Sequence, residues 1–163
     1  MSVPYCTPEW LEAFEKSYKA NPKFENALKK LTTRTYFKVL AEPQWGIDQD
    51  IIFGAVLVSG RLEKVEFITI ENAKKVGDFI LSATPMEWKS ILTKKRKFVT
   101  DFMLGKIKLE HGSKIGILSI APHANTIVDA MTQVPLRFPD EMSPDEVKKY
   151  RAHMKDFRAK LGV

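Results

Sequence analysis

The feature that most constrains the fold of this 163-residue chain is an apolar run that ends in a tight-turn signal. The run, Ile51–Val58, contains no charged residue, and Ser59-Gly60 follows it directly. It is much shorter than the roughly 20 residues of a membrane span. A strand that is apolar on both sides is covered on both faces or lies centrally in a sheet. We therefore expect a soluble fold built around this strand.

Four further strands are predicted from composition and alternation. The first is rich in aromatic and β-branched residues, and the last alternates cleanly between apolar and polar side chains. These four segments are Arg34–Ala41, Leu62–Ile70, Asp78–Ala83 and Lys106–His111. The first two are expected to form an antiparallel meander with Ile51–Val58.

The segment Leu62–Ile70 breaks its own alternation. Val65 faces the opposite side from Lys64, as in a strand with one wet face, but Ile68 and Ile70 then fall on the same side as Lys64. Two explanations stay open: either a bulge shifts the register there, or the far end of the strand is covered on its second face.

Helical segments flank these strands. Thr7 has the features of an N-cap before Pro8, and Asn21-Pro22 breaks the first helix. The last helix begins at a Ser143 cap and carries an apolar stripe of Val147, Tyr150, Met154, Phe157 and Leu161. The predicted fold class is α+β, with a mostly antiparallel sheet of about five strands covered by helices. Residues 1–142 are expected to form one domain that includes the N-terminal helices, and residues 143–163 an amphipathic helix packed on it.

Residues that would support catalysis or metal binding are not found in the sequence. His111, His123 and His153 lack metal-ligand spacing, and no phosphate-binding loop or nucleophile motif is present. We expect no enzyme activity, no cofactor and no metal. Cys6 is the only cysteine, which excludes an internal disulfide and favours a reducing compartment, so a cytoplasmic location is expected.

The densest charge feature is the basic run Lys94, Lys95, Arg96 and Lys97, in a chain of formal net charge +6. Such a run can contact nucleic acid, an acidic membrane or a phosphate-bearing head group, or it can be a solvated loop. The run has no interleaved aromatic residues, and no nucleic-acid-binding motif surrounds it. We therefore expect no nucleic-acid partner.

The stretch Asp78–Gly112 resembles the lipid-binding domain of the sterol carrier protein type-two family. The resemblance rests on an apolar strand, a tryptophan on a short helix, a second apolar helix, and a Gly-Lys pair that opens an alternating strand. These pieces are Phe79-Ile80-Leu81-Ser82-Ala83, Trp88, Phe98–Leu104, Gly105-Lys106 and Ile107-Lys108-Leu109. With the neighbouring elements, the resemblance covers roughly Leu28–Gln133. The chain departs from the family in its basic Thr93–Lys97 linker and its capped C-terminal helix.

The resemblance implies a lipid carrier whose apolar tunnel, between sheet and helices, holds a fatty acyl, sterol or isoprenoid-like ligand. The residues expected to contact the ligand are Phe79, Trp88, Leu92, Phe98, Phe102, Met103, Leu104, Ile115, Leu118, Ile127 and Met131, with Trp88 serving mainly to hold its helix on the sheet. The basic run would face an anionic membrane surface or the phosphates of an acyl-CoA. The alternative is a non-catalytic protein-interaction module of the same fold, associated with a lipid-metabolising enzyme, with a filled core and an exposed apolar patch.

Overall fold

The structure, a computed structural model, describes residues 2–163. Its strands are β1 (Val3–Pro4), β2 (Thr33–Val39), β3 (Ile51–Val58), β4 (Arg61–Ile68), β5 (Phe79–Ala83), β6 (Lys108–His111) and β7 (Leu136–Arg137). Its α-helices are α1 (Pro8–Ala20), α2 (Pro22–Ala27), α3 (Ile70–Val76), α4 (Pro85–Leu92), α5 (Phe98–Met103), α6 (Lys114–Ile120), α7 (Ala124–Met131) and α8 (Pro144–Leu161). Short 3₁₀ turns lie at Pro43–Trp45, Ala121–His123 and Pro139–Glu141. The predicted α+β class is confirmed.

The main sheet has five strands in the order β4-β3-β2-β5-β6. The strands β2, β3 and β4 form the predicted antiparallel meander, and β5 and β6 are also antiparallel. The central pair, β2 and β5, is parallel, because the chain crosses the sheet through α3 between β4 and β5. A small separate pair joins β1 and β7 in parallel.

Helix α3 covers the second face of the sheet and explains the broken alternation in β4. Ala73 of α3 packs with Tyr36, Ile52 and Ile80, and Ile68 and Ile70 are packed against this group. The strand end is therefore covered on its second face, as one of the two explanations held. A register shift also exists, but it lies nearer the start of β4, where Lys64 pairs with Val56 and Leu62 with Leu57. The segment Asn72–Gly77, expected to be a simple connection, is mostly helical.

The C-terminal helix α8 packs on the sheet and on the N-terminal segment. The rings of Phe157 and Phe67 lie 5.1 Å apart, and Tyr150 donates a hydrogen bond of 2.6 Å from its hydroxyl to the carbonyl oxygen of Tyr5. The predicted caps are present: the Thr7 side chain accepts from Trp10 N–H, and Ser143 forms a capping box. The two ends of the described chain are thereby held together.

Candidate functional site

An apolar cavity lies between the main face of the sheet and the helices above it. Its volume is about 100 Å³, several times the roughly 10–15 Å³ that one water molecule needs. Alternate residues of β2 and β3 form its floor, because successive side chains of a strand point to opposite faces. They are Thr33, Thr35, Phe37, Phe53, Ala55 and Leu57.

Five helices, α1, α4, α5, α6 and α7, supply the walls of the cavity. Each presents aliphatic or aromatic side chains inward, although α1 and α7 lie far apart in the sequence. Among these side chains are Leu11 and Phe14 of α1, Ile91 and Leu92 of α4, Ile117 and Ile120 of α6, and Ile127 and Met131 of α7. A space lined in this way favours an apolar ligand.

The few polar groups around the cavity are almost all engaged within the protein. The hydroxyls of Thr33 and Thr35 lie 2.8 Å apart and bond to each other, and Tyr18 donates to the carbonyl oxygen of Gly60 at 2.5 Å. Trp88 donates from its indole nitrogen to the carbonyl oxygen of Lys38 at 3.1 Å. The exception is Tyr5, whose buried hydroxyl has no partner in the part of the chain that the structure describes.

A cationic cleft adjoins the apolar cavity. It has a volume of about 300 Å³ and is lined by Ile91, Lys94, Arg96, Lys97, Phe98, Asn125, Val128 and Asp129. Ile91, Phe98 and Val128 line both spaces, so that the apolar wall is shared. Of the four predicted head-group residues, Lys94, Arg96 and Lys97 line the cleft, and the exposed Lys95 does not.

The four cations differ in how they are held. Arg96 binds both carboxylate oxygens of Asp101 from its Nε at 2.7 Å, and Lys94 contacts the carboxylate of Asp129. Among residues 2–163, Lys95 and Lys97 have no carboxylate partner. Arg96 therefore fixes the loop between α4 and α5, and Lys95 and Lys97 remain available to an anion.

Two carboxyl groups, those of Asp101 and Glu87, lie next to the loop that Arg96 fixes. Asp101 is 0% exposed, and its hydrogen bonds to Arg96 lower its pKa. The neighbouring Glu87 has a buried carboxylate oxygen that no donor among residues 2–163 reaches. Its pKa is raised to about 7, first by burial and then by the nearby Asp101 carboxyl. Glu87 is therefore about half protonated at neutral pH and ionised in mildly alkaline solution.

The raised pKa of Glu87 predicts a stability that declines as the pH rises from about 5 toward neutrality. The pKa of Glu87 in the folded protein, about 7, exceeds its ordinary value of 4.5. Its contribution is therefore complete below the ordinary value and is lost as the pH passes through the folded one. We expect this contribution to lower the melting temperature between about pH 5 and pH 7. In Glu87→Gln, the same measurement should give a flatter curve.

The matched control is Glu12→Gln, which neutralises an exposed carboxylate of α1. It should keep the slope of the parent protein. An equal slope in Glu87→Gln and the parent would show that Glu87 does not titrate in this range.

The structure brings five of the predicted contact residues to the cavity: Trp88, Leu92, Phe98, Ile127 and Met131. Trp88 also contacts the sheet, through its bond to Lys38 and an edge-on packing with Phe37 at 5.6 Å. It therefore holds its helix on the sheet, as expected, while one face of it lines the cavity.

Six predicted contact residues lie outside the lining. Phe79 packs its ring against the backbone of Gly112 and Gly116, and Phe102 stacks on Phe98 at 5.8 Å without reaching the cavity. The other four are exposed: Met103 by 58% and Leu104 by 64% at the end of α5, and Ile115 by 83% and Leu118 by 40% on the outer side of α6. Helix α6 is apolar on both sides, so its periodicity does not tell the inner face from the outer one.

Several lining residues were missed by the sequence prediction. They come from the N-terminal segment and from the sheet floor, among them Tyr5, Leu11, Phe14, Tyr18 and Ala55. The family resemblance begins near Leu28, so it did not extend to the first helix. The sequence signal for these residues was the apolar face of α1, which indicates that this helix packs on the rest of the domain.

Other reactive groups do not gather into a second site. Burial raises the pKa of the Cys6 thiol, which is fully buried. Within residues 2–163, no three His, Cys, Asp or Glu residues are grouped so as to hold a metal ion. None of the helices in the described part of the chain combines the length and the apolar character that crossing a membrane requires.

The fold is similar to those of several solved structures. The solution structure of the conserved hypothetical protein TT1886 of Thermus thermophilus has a TM-score of 0.69 and 18% identity, over 84% of this chain and 94% of that one. A crystal structure of sterol carrier protein 2 has a TM-score of 0.66 and 18% identity, over 78% and 97%. A palmitated SCP2L2 from Aedes aegypti has a TM-score of 0.50 and 15% identity, over 72% and 94%.

The sequence itself matches no family model, and no curated protein is significantly similar to it. The structural likeness alone shows that this chain has the fold of sterol carrier protein 2. The fold predicted from the Asp78–Gly112 pattern is thereby confirmed.

Proposed function

We propose that this protein is a lipid carrier that holds a fatty acyl, sterol or isoprenoid-like chain in the apolar cavity. The observation that carries the proposal is the lining: the floor and walls are almost wholly apolar, and their hydroxyls are engaged with the protein except that of Tyr5. Moving a methylene group from water into such a space gains about 0.8 kcal/mol. A chain of a few methylenes is therefore bound without specific polar contacts.

The cationic cleft gives the cargo a place for an anionic head group. Small-molecule sites commonly have volumes of about 300–1,000 Å³. The cavity of about 100 Å³ falls below this range, whereas it enters the range together with the adjoining cleft of about 300 Å³. A tail in the cavity and an acidic or phosphate-bearing head beside Lys97 would use both spaces.

The lining of the cavity supports a role without catalysis, and the state of Cys6 is consistent with a cytoplasmic location. A nucleophile needs a base within hydrogen-bonding reach. In the described chain, the hydroxyls of Thr33 and Thr35 in the cavity floor bond to each other, and no base lines the cavity. Cys6 is a free thiol that is fully buried, in keeping with a reducing compartment.

A protein-interaction module is the second candidate, favoured by the outer side of α6. Ile115 is 83% exposed and Leu118 40% exposed on that side. Such a module would bind its partner there and leave the cavity without cargo.

Native mass spectrometry of the purified protein, followed by organic extraction, tests the proposal. A stoichiometric acyl, sterol or isoprenoid lipid released from the protein would support it and begin to name the cargo. A mass equal to that of the bare chain, together with no binding of a fluorescent fatty acid, would overturn it in favour of the interaction module.

Reversing two charges of the basic run should slow lipid transfer to acidic membranes. Each Lys near an anionic surface contributes about 1 kcal/mol, so Lys95→Glu with Lys97→Glu should lower the transfer rate to phosphatidylserine vesicles by about tenfold or more. Transfer to neutral phosphatidylcholine vesicles should change little. The assay follows a fluorescent fatty acid as it leaves the protein.

The control is Lys29→Glu with Lys30→Glu, which makes the same change in net charge at exposed positions after α2. Equal losses in the two double variants would mean that net charge, and not the position of the basic run, governs transfer.

A further inference from the structure

Tyr5 is the one residue of the cavity whose side-chain polar group is left unbonded. It is 0% exposed and lines the cavity. Its backbone is fully used: the N–H donates to the carbonyl oxygen of Arg137 at 2.9 Å, and the carbonyl accepts the hydroxyl of Tyr150. Its hydroxyl has no hydrogen-bond partner among residues 2–163.

Two aromatic side chains pack against the ring of Tyr5. Trp10 packs on it with ring centres 5.3 Å apart, and Phe138 does so at 5.1 Å. Buried polar atoms in native proteins nearly always have a partner, and a buried Tyr hydroxyl usually finds one. Burial raises the pKa of Tyr5, which keeps the phenol neutral and able both to donate and to accept.

Tyr18 provides the contrast within the same cavity. Its ring also lines the space, but its hydroxyl donates to the carbonyl oxygen of Gly60 at 2.5 Å. The fold therefore satisfies one of these two hydroxyls and leaves the other unbonded.

We propose that the Tyr5 hydroxyl is the polar anchor of the cargo and hydrogen-bonds an uncharged oxygen on the part of the lipid that enters the cavity. The assignment rests on the proposed carrier function and narrows its ligand class. The oxygen is neutral, because no Lys or Arg lines the cavity and a charge buried there would be costly. An alcohol, ketone or ester lipid fits this requirement better than a plain hydrocarbon chain.

This anchor is separate from the cationic cleft, whose lining does not include Tyr5. A lipid that carries only one neutral oxygen would enter with that oxygen first. A lipid with an anionic group as well would use both sites, with the chain between them.

Competition of hexadecane and hexadecanol against a fluorescent fatty acid tests the assignment. A net hydrogen bond contributes a factor of about three to ten to an affinity. Tyr5→Phe should lower the affinity for hexadecanol by that factor and leave the affinity for hexadecane unchanged. Comparing each ligand between parent and variant cancels the different solubilities of the two ligands.

Tyr18→Phe is the matched control, since it removes one hydroxyl from the same cavity. It should lower the melting temperature, because the bond to Gly60 is lost. It should lower the affinities for hexadecane and hexadecanol by the same factor. Tyr5→Phe should not lower the melting temperature of the ligand-free protein, because no bond is lost and a buried unbonded hydroxyl is removed.

The possible failures are distinguishable. Equal affinities of hexadecanol for the parent and Tyr5→Phe, with both ligands binding, would overturn the Tyr5 assignment alone. A loss of melting temperature in Tyr5→Phe as large as that in Tyr18→Phe would also overturn it, since the hydroxyl would then be bonded without cargo. No competition by either ligand in the parent would overturn the carrier function together with the anchor.

Discussion

Ala55→Phe is expected to lower the affinity for a fatty acyl chain by about tenfold or more, with the fold retained. Ala55 lies in the cavity floor on β3, directly opposite Thr35 of β2 and Val65 of β4, and all three residues line the cavity. A phenyl ring at this position would occupy space that the cargo needs. A ring that excludes only two methylene groups costs about 1.6 kcal/mol of binding free energy, which is more than a factor of ten.

Isothermal titration with a soluble fatty acid measures this effect. Val58→Phe serves as the control, because Val58 ends the same strand, is 36% exposed and does not line the cavity. The control should bind as the parent does. Unchanged affinity in Ala55→Phe would place the ligand outside the cavity.

Trp10→Ala is expected to lower the free energy of unfolding by about 3–5 kcal/mol, or the melting temperature by roughly 10 °C. Trp10 is 1% exposed and joins α1 to another wall of the cavity and to its floor. Its indole nitrogen donates to the carbonyl oxygen of Met131 at 3.0 Å, and its ring packs edge-on against Phe53 at 5.1 Å. The substitution would leave both a hole and an unbonded carbonyl oxygen.

Urea unfolding followed by circular dichroism checks the value. Trp10→Phe, which keeps an aromatic ring but loses the indole donor, should lie between the parent and Trp10→Ala. A loss below about 1 kcal/mol in Trp10→Ala is too small for a fully buried tryptophan and would show that α1 is not docked as described.

The parts of the fold that were predictable are set by local chemistry. The bounds of β3 coincide with its apolar run, and the helices at Thr7 and Ser143 begin where a hydroxyl can accept a backbone N–H. Long-range contacts moved other boundaries. Strand β6 begins two residues later than its alternation indicates, at Lys108, because Ile107 N–H donates to the carbonyl oxygen of Asp101.

Helix α3 escaped prediction because its pattern is weak. It has seven residues, and charged side chains such as Glu71 and Lys74 occupy much of it. Ala73 alone of its residues is buried, and a single small apolar residue gives no visible period. The only sequence signal for α3 was the apolar side chains on the second face of the sheet, which required an element to cover them.

The candidate site was predictable in its location between sheet and helices, but not in most of its details. Periodicity separates apolar from polar faces, so it assigns the inner side of a helix only when the outer side is polar. Helix α6 carries Ile117 inward and Ile115 outward, and its period fits both faces. Tyr5 reaches the cavity through partners far away in sequence, and no local pattern contains that information.

The binding of the N-terminal segment to the C-terminal part has a consequence for the newly made protein. Tyr5 leaves the ribosome early, but its carbonyl oxygen is bonded by Tyr150, which follows it by 145 positions. At translation rates of about 5–20 residues per second, that interval lasts roughly 7–30 seconds. The wall that Tyr5 contributes is therefore put in place only when synthesis of this region is complete. If the protein is a carrier as proposed, we expect it to take up its cargo after translation and not during it.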